Sequence, residues 1–211
     1  MTFGRIRTRW FLPLCLLLVA GHAAREAVEA MPALGDQGRD GWTVEQLVES
    51  LKEGREPSIP FEEATYSSLL TEPLIVRGVL RFLPPARLEK DVLEPYRERY
   101  VIEGDQVTFE SERKGVKRTI SLEDYPALRS FVEAFRASFT GDAAQLKQSY
   151  ATTLEGNRRK WVLSLRPHDP AGKAIVDSIL FSGSEGRIAT ITVRAPDGDR
   201  SVITLSRGHV P

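Results

Sequence analysis

The chain has 211 residues, of which 41% are hydrophobic and 27% are charged, and its 29 basic side chains are balanced by 29 acidic ones. This balance excludes a surface built for nucleic acid, which needs clustered positive charge. The single cysteine, Cys15, lies close to the N-terminus, so the sequence beyond it holds no thiol for a disulfide or for a cysteine metal site.

The first 23 residues are typical of a cleavable export signal. A basic segment with three arginines (Arg5, Arg7 and Arg9) precedes the apolar run 10–20, and small residues follow up to Ala23. The run is shorter than the about 20 residues that span a bilayer. We therefore expect cleavage after Ala23, with Ala30 as a weaker site and an uncleaved membrane anchor as the alternative. The mature protein is then exported to the periplasm.

A first amphipathic helix is predicted after residues 24–41, a leader rich in glycine, aspartate and alanine that shows no periodicity. Thr43 and Gln46 have the spacing of a capping box, and Gly54 stands where such a helix stops. Apolar residues recur at helical spacing between them: Val44, Leu47, Val48 and Leu51. This apolar stripe must pack on another element, and we place it in a single domain over residues 42–208.

From Ile59 onward the apolar residues alternate at the period of β-strands. We predict strands at 59–70, 74–83, 96–102, 107–109, 116–122, 160–166, 174–182, 187–195 and 200–206. The turns between them contain glycine and aspartate, and the pair Asp197-Gly198 is a strong hairpin signal. Short strands joined in this way indicate an antiparallel meander.

A second helix, predicted over residues 123–140, interrupts the strands. Pro126 is tolerated in its first turn, and Gly141 ends it. Phe131, Phe135 and Phe139 lie on one face. Residues 142–147 predict a short third helix.

The sequence shows no catalytic apparatus. Beyond the signal segment the only histidines are His168, in a proline-rich loop, and His209, near the C-terminus. Glu62 and Glu63 are neighbours in a strand, so they point to opposite faces and cannot act as one acid–base pair. No serine elbow, zinc ligand set or glycine-rich phosphate loop is present. We therefore expect neither an enzyme nor a bound cofactor or metal.

The strand over residues 74–83 has two different faces. Apolar residues and one glycine fall on the first face: Leu74, Val76, Gly78, Leu80 and Phe82. The second face mixes Arg77 and Arg81 with aliphatic residues. The apolar face must be buried against the protein's own core or against a guest molecule, and the alternation by itself leaves both interpretations open.

An ordered set of short motifs resembles the periplasmic outer-membrane lipoprotein carriers, the LolA-like family, in a divergent branch. The motifs are Pro73-Leu74, Gly78-x-Leu80-x-Phe82-x-x-Pro85, Pro95, Gly104-Asp105, Pro126, Gly141-Asp142, Trp161-x-Leu163-x-Leu165-x-Pro167 and Asp197-Gly198-Asp199-x-Ser201. The resemblance implies an α+β fold in which a curved antiparallel sheet forms an incomplete, half-open β-barrel with two to three amphipathic helices as a lid. It also implies a carrier that takes acylated cargo from the inner membrane across the periplasm.

The resemblance further implies that the apolar face of strand 74–83 lines a lipid-binding cavity and that the phenylalanine helix forms the lid. The residues expected to contact acyl chains are Leu74, Val76, Leu80, Phe82, Phe109, Phe131, Phe135, Trp161 and Leu163. One position departs from the family pattern, because Pro84 stands where the best-known carriers have an arginine that holds the lid shut. The resemblance therefore does not extend to closure of the lid by that contact.

The partners expected from this resemblance are a lipid or acylated cargo, an inner-membrane exporter and an outer-membrane acceptor, with the carrier itself a monomer. The cargo could be a lipoprotein, a glycolipid or a polyene lipid. The alternative function is a non-catalytic binding or scaffold subunit of an envelope assembly, in which the apolar face docks a protein.

Overall fold

The computed structural model describes residues 41–54, 56–83 and 87–206. The predicted signal segment with Cys15, the leader up to residue 40, Pro84 and His209 lie outside these residues, so the predictions that concern them stay predictions.

One antiparallel sheet of eleven strands organises the chain, and its strand order is β6-β5-β4-β3-β2-β1-β11-β10-β9-β8-β7. The strands are β1 (Ser58–Tyr66), β2 (Leu74–Leu83), β3 (Arg87–Glu94), β4 (Glu98–Glu103), β5 (Gln106–Ser111), β6 (Val116–Ser121), β7 (Tyr150–Asn157), β8 (Lys160–Pro167), β9 (Ser178–Ser184), β10 (Arg187–Arg194) and β11 (Arg200–Leu205). Two meanders, β1–β6 and β7–β11, join where β1 pairs with β11. Among the described residues β6 and β7 do not pair with each other, which confirms the predicted half-open barrel.

Four α-helices accompany the sheet within the described ranges: α1 (Val44–Glu53), α2 (Pro126–Thr140), α3 (Ala143–Ser149) and α4 (Pro170–Lys173). The predicted capping box of α1 is confirmed, since the Thr43 hydroxyl accepts from the Gln46 amide and the Gln46 side chain accepts from the Thr43 amide. Gly141 ends α2 with φ of 86°, a left-handed conformation that favours glycine. None of the helices in the described ranges is long and apolar enough to cross a membrane.

The structure differs from the prediction at four elements. Strands β3 and β7 were not predicted, and the strand expected over 174–182 begins only at Ser178 because α4 and a turn precede it. Asp169 starts α4, since its carboxylate accepts from the Gly172 amide at 2.7 Å. The helix expected over 123–140 begins as a 3₁₀ turn (Leu122–Asp124) and becomes α-helical at Pro126.

The core lies between the concave face of the sheet and the helices. Its most deeply buried members come from α1 and from β7 to β10: Leu47, Leu154, Leu163, Leu165, Ile179, Phe181 and Ile191. Helix α2 contacts this core through Phe135, whose ring centroid lies 5.5 Å from that of Phe181. Its C-terminal end reaches the other meander, where Phe139 stacks on Phe82 at 5.6 Å. The helix therefore bridges both halves of the sheet.

Candidate functional site

A cavity of about 100 Å³ lies beneath α2 on the concave face of the sheet. Its apolar lining comes from the sheet (Ile59, Leu80, Phe82, Leu88, Tyr100, Ile102, Ile191, Ile203 and Leu205) and from α2 (Phe131, Val132, Phe135 and Phe139). Four charged residues complete the lining: Glu56, Arg81, Glu89 and Lys90. The side chains of Arg81 and Glu89 belong to the opposite face of their strands from Leu80 and Lys90. No serine, cysteine or histidine is among the described lining residues, and most of this lining is apolar.

Four of the residues predicted to contact acyl chains line this cavity: Leu80, Phe82, Phe131 and Phe135. The other five belong to the packed core around it or lie against that core: Leu74, Val76, Phe109, Trp161 and Leu163. Trp161 and Leu163 are 1% and 0% exposed, and the Trp161 indole donates to the carbonyl oxygen of Glu185 at 3.0 Å. The sequence could not distinguish the two groups, because both have inward-facing apolar side chains.

The sequence reasoning missed the cavity residues of β3. Leu88 and Lys90 face inward from this strand, in register with Phe82 and Leu80 of β2. The inward-facing lysine interrupts the alternation of apolar residues that predicts a strand. For this reason the sequence did not predict β3 or its contribution to the site. Phe139 was placed on the correct helix face but was not named as a site residue.

Gly78 brings β2 and β3 into close contact at the cavity. A Cβ atom at this position would lie 1.8 Å from the backbone oxygen of Asp91 and 3.0 Å from the ring of Phe61. The register between β2 and β3 shifts at the same place, between Arg77 and Gly78. The glycine therefore allows a tight bulge in the sheet, and the Phe61 ring covers the space that a side chain would occupy.

A buried ion pair lies at the cavity wall. The Lys90 ammonium from β3 donates to Oε2 of Glu63 on β1, and the Ser201 hydroxyl from β11 donates to the other carboxylate oxygen. Only 9% of each charged side chain is exposed. The ammonium also lies over the rings of Phe61 and Tyr100, 5.3 and 6.0 Å from their centroids. The pair therefore carries no net charge, and Ser201, Phe61 and Tyr100 surround it.

A second polar cluster continues from Tyr100. The Tyr100 hydroxyl donates to Glu98 at 2.9 Å, and Ser111 donates to the same carboxylate at 3.2 Å. The Lys114 ammonium lies 3.8 Å from Glu98. Burial raises the pKa of Tyr100 far above its ordinary value, and the neighbouring carboxylate adds to this effect. The phenol is therefore a neutral hydrogen-bond donor throughout the physiological range.

The convex face of the same strands carries ion pairs between glutamates and arginines. Glu62, the sequence neighbour of Glu63, points outward and pairs with Arg77 at 2.8 Å. Glu89 on β3 accepts from Arg87 at 2.7 Å and from Arg99 at 3.0 Å. Burial raises the pKa of Glu89, but these two arginines outweigh it and hold the pKa below its usual value. The convex face of β1 to β4 therefore carries ion pairs, whereas the apolar side chains that line the cavity lie on the concave face.

An open half-barrel with a helix over an apolar cavity is the architecture of a ligand-binding fold. Residues 37–209 match the family model described as outer membrane lipoprotein carrier protein LolA-like, and the chain belongs to this LolA-like family. The resemblance found in the sequence is thereby confirmed. No curated protein sequence matches the chain.

The solved structures that are similar to this chain have low sequence identity to it. A LolA superfamily protein from Nitrosomonas europaea is 13% identical, with 81% of this chain and 96% of that chain covered and a TM-score of 0.43. A putative outer membrane lipoprotein-sorting protein domain from Vibrio parahaemolyticus is 11% identical, covers 77% and 89%, and has a TM-score of 0.43. The Pseudomonas aeruginosa MucA/MucB complex is 12% identical, covers 79% and 58%, and has a TM-score of 0.41.

Proposed function

We propose that the protein is a periplasmic carrier that binds the acyl chains of a lipid or lipidated cargo beneath α2 and moves that cargo between the inner and outer membranes. The observation that carries the proposal is the apolar cavity between the sheet and α2 in a member of this family. An inner-membrane exporter would load the carrier, and an outer-membrane acceptor would unload it.

Acyl-chain burial supplies enough free energy for such a carrier. About ten methylenes transferred from water would contribute roughly 8 kcal/mol, at about 0.8 kcal/mol each. Loss of rigid-body freedom and ordering of the chain offset a large part of this gain. The net affinity is then moderate, which suits a carrier that must release its cargo.

The cavity must widen before an acyl chain can enter. Its volume of about 100 Å³ is smaller than a cavity of about 150 Å³ that accommodates benzene in another protein. Helix α2 is the wall that we expect to move, because its contact with the cavity is made by apolar side chains. Ser130 donates to Asp169 at 3.1 Å, and Arg136 donates to the carbonyl oxygen of Gly104. Its remaining contacts with the cavity are apolar, and an acyl chain can replace them.

Uptake of a fluorescent fatty acid, together with native mass spectrometry of the purified mature protein, tests the proposal. We expect co-purified acyl material and saturable uptake. Phe82→Asp should abolish uptake because Phe82 lines the cavity, and Leu83→Asp is the matched control because Leu83 is the next residue and is exposed. Circular dichroism checks that both variants fold.

A cavity-filling variant keeps the test valid if Phe82→Asp does not fold. Leu80 is half-buried and lines the cavity, so Leu80→Trp should fill the space without introducing a charge. We expect it to fold and to bind at least tenfold less fatty acid than the wild type. A bare polypeptide in native spectra, combined with no uptake by the wild type, would refute the carrier proposal.

A further inference from the structure

The Lys90–Glu63 pair borders the cavity through Lys90. Glu56, Ile59, Phe139 and Leu205 line both the cavity and a neighbouring depression next to Arg187. Arg187 and Glu56 are about half exposed, so this shared side opens towards solvent. Lys90 is in register with Leu80, which pairs with Ile59, whereas Glu63 lies four residues further along β1. The Lys90 side chain therefore extends from the level of Ile59 inward towards Glu63.

The Lys90–Glu63 pair carries no net charge, but its ammonium group can donate further hydrogen bonds. An ammonium group has three N–H donors. Among the described residues, the one acceptor recorded for Lys90 is Glu63. The neighbours that flank the remaining side of the ammonium are the rings of Phe61 and Tyr100. Since Lys90 lines the cavity, a guest oxygen at this depth can accept a hydrogen bond from it.

We infer that the Lys90–Glu63 pair is a specificity element that accepts an uncharged acceptor oxygen, such as the carbonyl of an acyl ester, and discriminates against a free carboxylate. This inference rests on the proposed function. An ester carbonyl adds a charge-assisted hydrogen bond and leaves the neutral pair intact. A carboxylate would bring a second negative charge beside Glu63, where water is excluded and the single ammonium is already paired.

Glu63→Gln should reverse the preference. The substitution keeps the shape of the side chain and leaves Lys90 as an uncompensated buried cation, which a carboxylate ligand can then neutralise. Lys90→Met combined with Glu63→Gln removes both charges and the donor, so the ester should lose its advantage over an alkane of the same length. Glu62→Gln is the matched control, because Glu62 is the adjacent residue on the convex face.

The experiment is displacement of the uncharged probe N-phenyl-1-naphthylamine at pH 8 by methyl dodecanoate, by ionised dodecanoate and by dodecane. In the wild type we expect the ester to bind about tenfold more tightly than the alkane, as one hydrogen bond to a charged donor predicts. In Glu63→Gln the ester-to-carboxylate affinity ratio should fall at least tenfold relative to the wild type. Glu62→Gln should leave every ratio unchanged.

The following results would overturn the inference. Equal ester-to-carboxylate ratios in the wild type and in Glu63→Gln would overturn the role of the pair while leaving the carrier proposal intact. Failure of every protein to bind the probe and all three ligands would overturn the proposed function and the inference with it. If Glu63→Gln does not fold, the double variant decides, since an unchanged ester advantage there would exclude Lys90 as the donor.

Discussion

Replacement of Lys90 by methionine tests whether the polar pair in the concave face is as buried as the structure indicates. Methionine retains the length and the apolar stem of lysine but removes the charge. Glu63 would then be left with Ser201 as its recorded partner, with 9% of its side chain exposed. The matched control is Arg77→Met on the convex face, where 58% of the arginine side chain and 49% of its partner Glu62 are exposed.

The expected magnitudes differ because the two sites differ in solvation. Loss of one partner from a buried pair costs about 3–5 kcal/mol, because it leaves an uncompensated charge away from water. We expect about 3 kcal/mol for Lys90→Met, the lower end, since the Ser201 hydroxyl still donates to Glu63. For a domain of this size this corresponds to a decrease in melting temperature of roughly 6–12 °C. Arg77→Met should change stability little, because solvent screens an exposed pair.

Urea unfolding of both variants and of Lys90→Met/Glu63→Gln checks this reasoning. The double variant leaves no buried charge, so it should recover most of the stability lost in Lys90→Met. A Lys90→Met protein as stable as Arg77→Met would show that water reaches the pair. A double variant no more stable than Lys90→Met would show that the lysine stabilises the sheet by packing rather than by charge.

Three further predictions concern other parts of the sheet. Gly78→Ala should lower the free energy of unfolding by about 3 kcal/mol in urea titrations, because the new Cβ would meet the backbone oxygen of Asp91. Glu89→Gln should reduce the acid sensitivity of the fold. The depressed pKa of Glu89 adds stability that is complete above the unfolded pKa of about 4.3 and is lost as the pH falls through the lower folded value, so the variant should lose less stability than the wild type between pH 6 and pH 3 in urea titrations at each pH. Trp161→Phe should cost about 2 kcal/mol in thermal unfolding, since it removes the indole hydrogen bond and leaves a void at a fully buried site.

Local sequence patterns predicted several elements of the fold correctly. The capping box of α1 and the alternation of β2 both depend on residues close together in sequence, and both are confirmed. The turn between β7 and β8 is equally local, since the Asn157 side chain accepts from the amides of Arg159 and Lys160. In these places a short segment determines its own conformation.

The cavity could not be predicted in the same way, because it depends on contacts between distant segments. The pairing of β1 with β11 joins Phe61 to Leu205 across most of the chain, and no local pattern specifies it. Lys90 faces inward because its partner Glu63 lies on another strand, 27 residues away. A charged residue considered alone predicts a solvent-facing position. The sequence therefore predicted neither strand β3 nor the inward orientation of Lys90.

The question whether the apolar concave face is core or cavity has a different answer in each half of the sheet. On β8 and β9 the inward residues Leu163, Ile179 and Phe181 are completely buried, and this half is core. On β2 the inward residue Leu80 is only half-buried and lines the cavity. Because the sheet is open rather than closed, α2 could move away from the β2 half while the β8–β9 half remained packed. A guest chain would then replace contacts at the cavity without disrupting the core that holds the fold together.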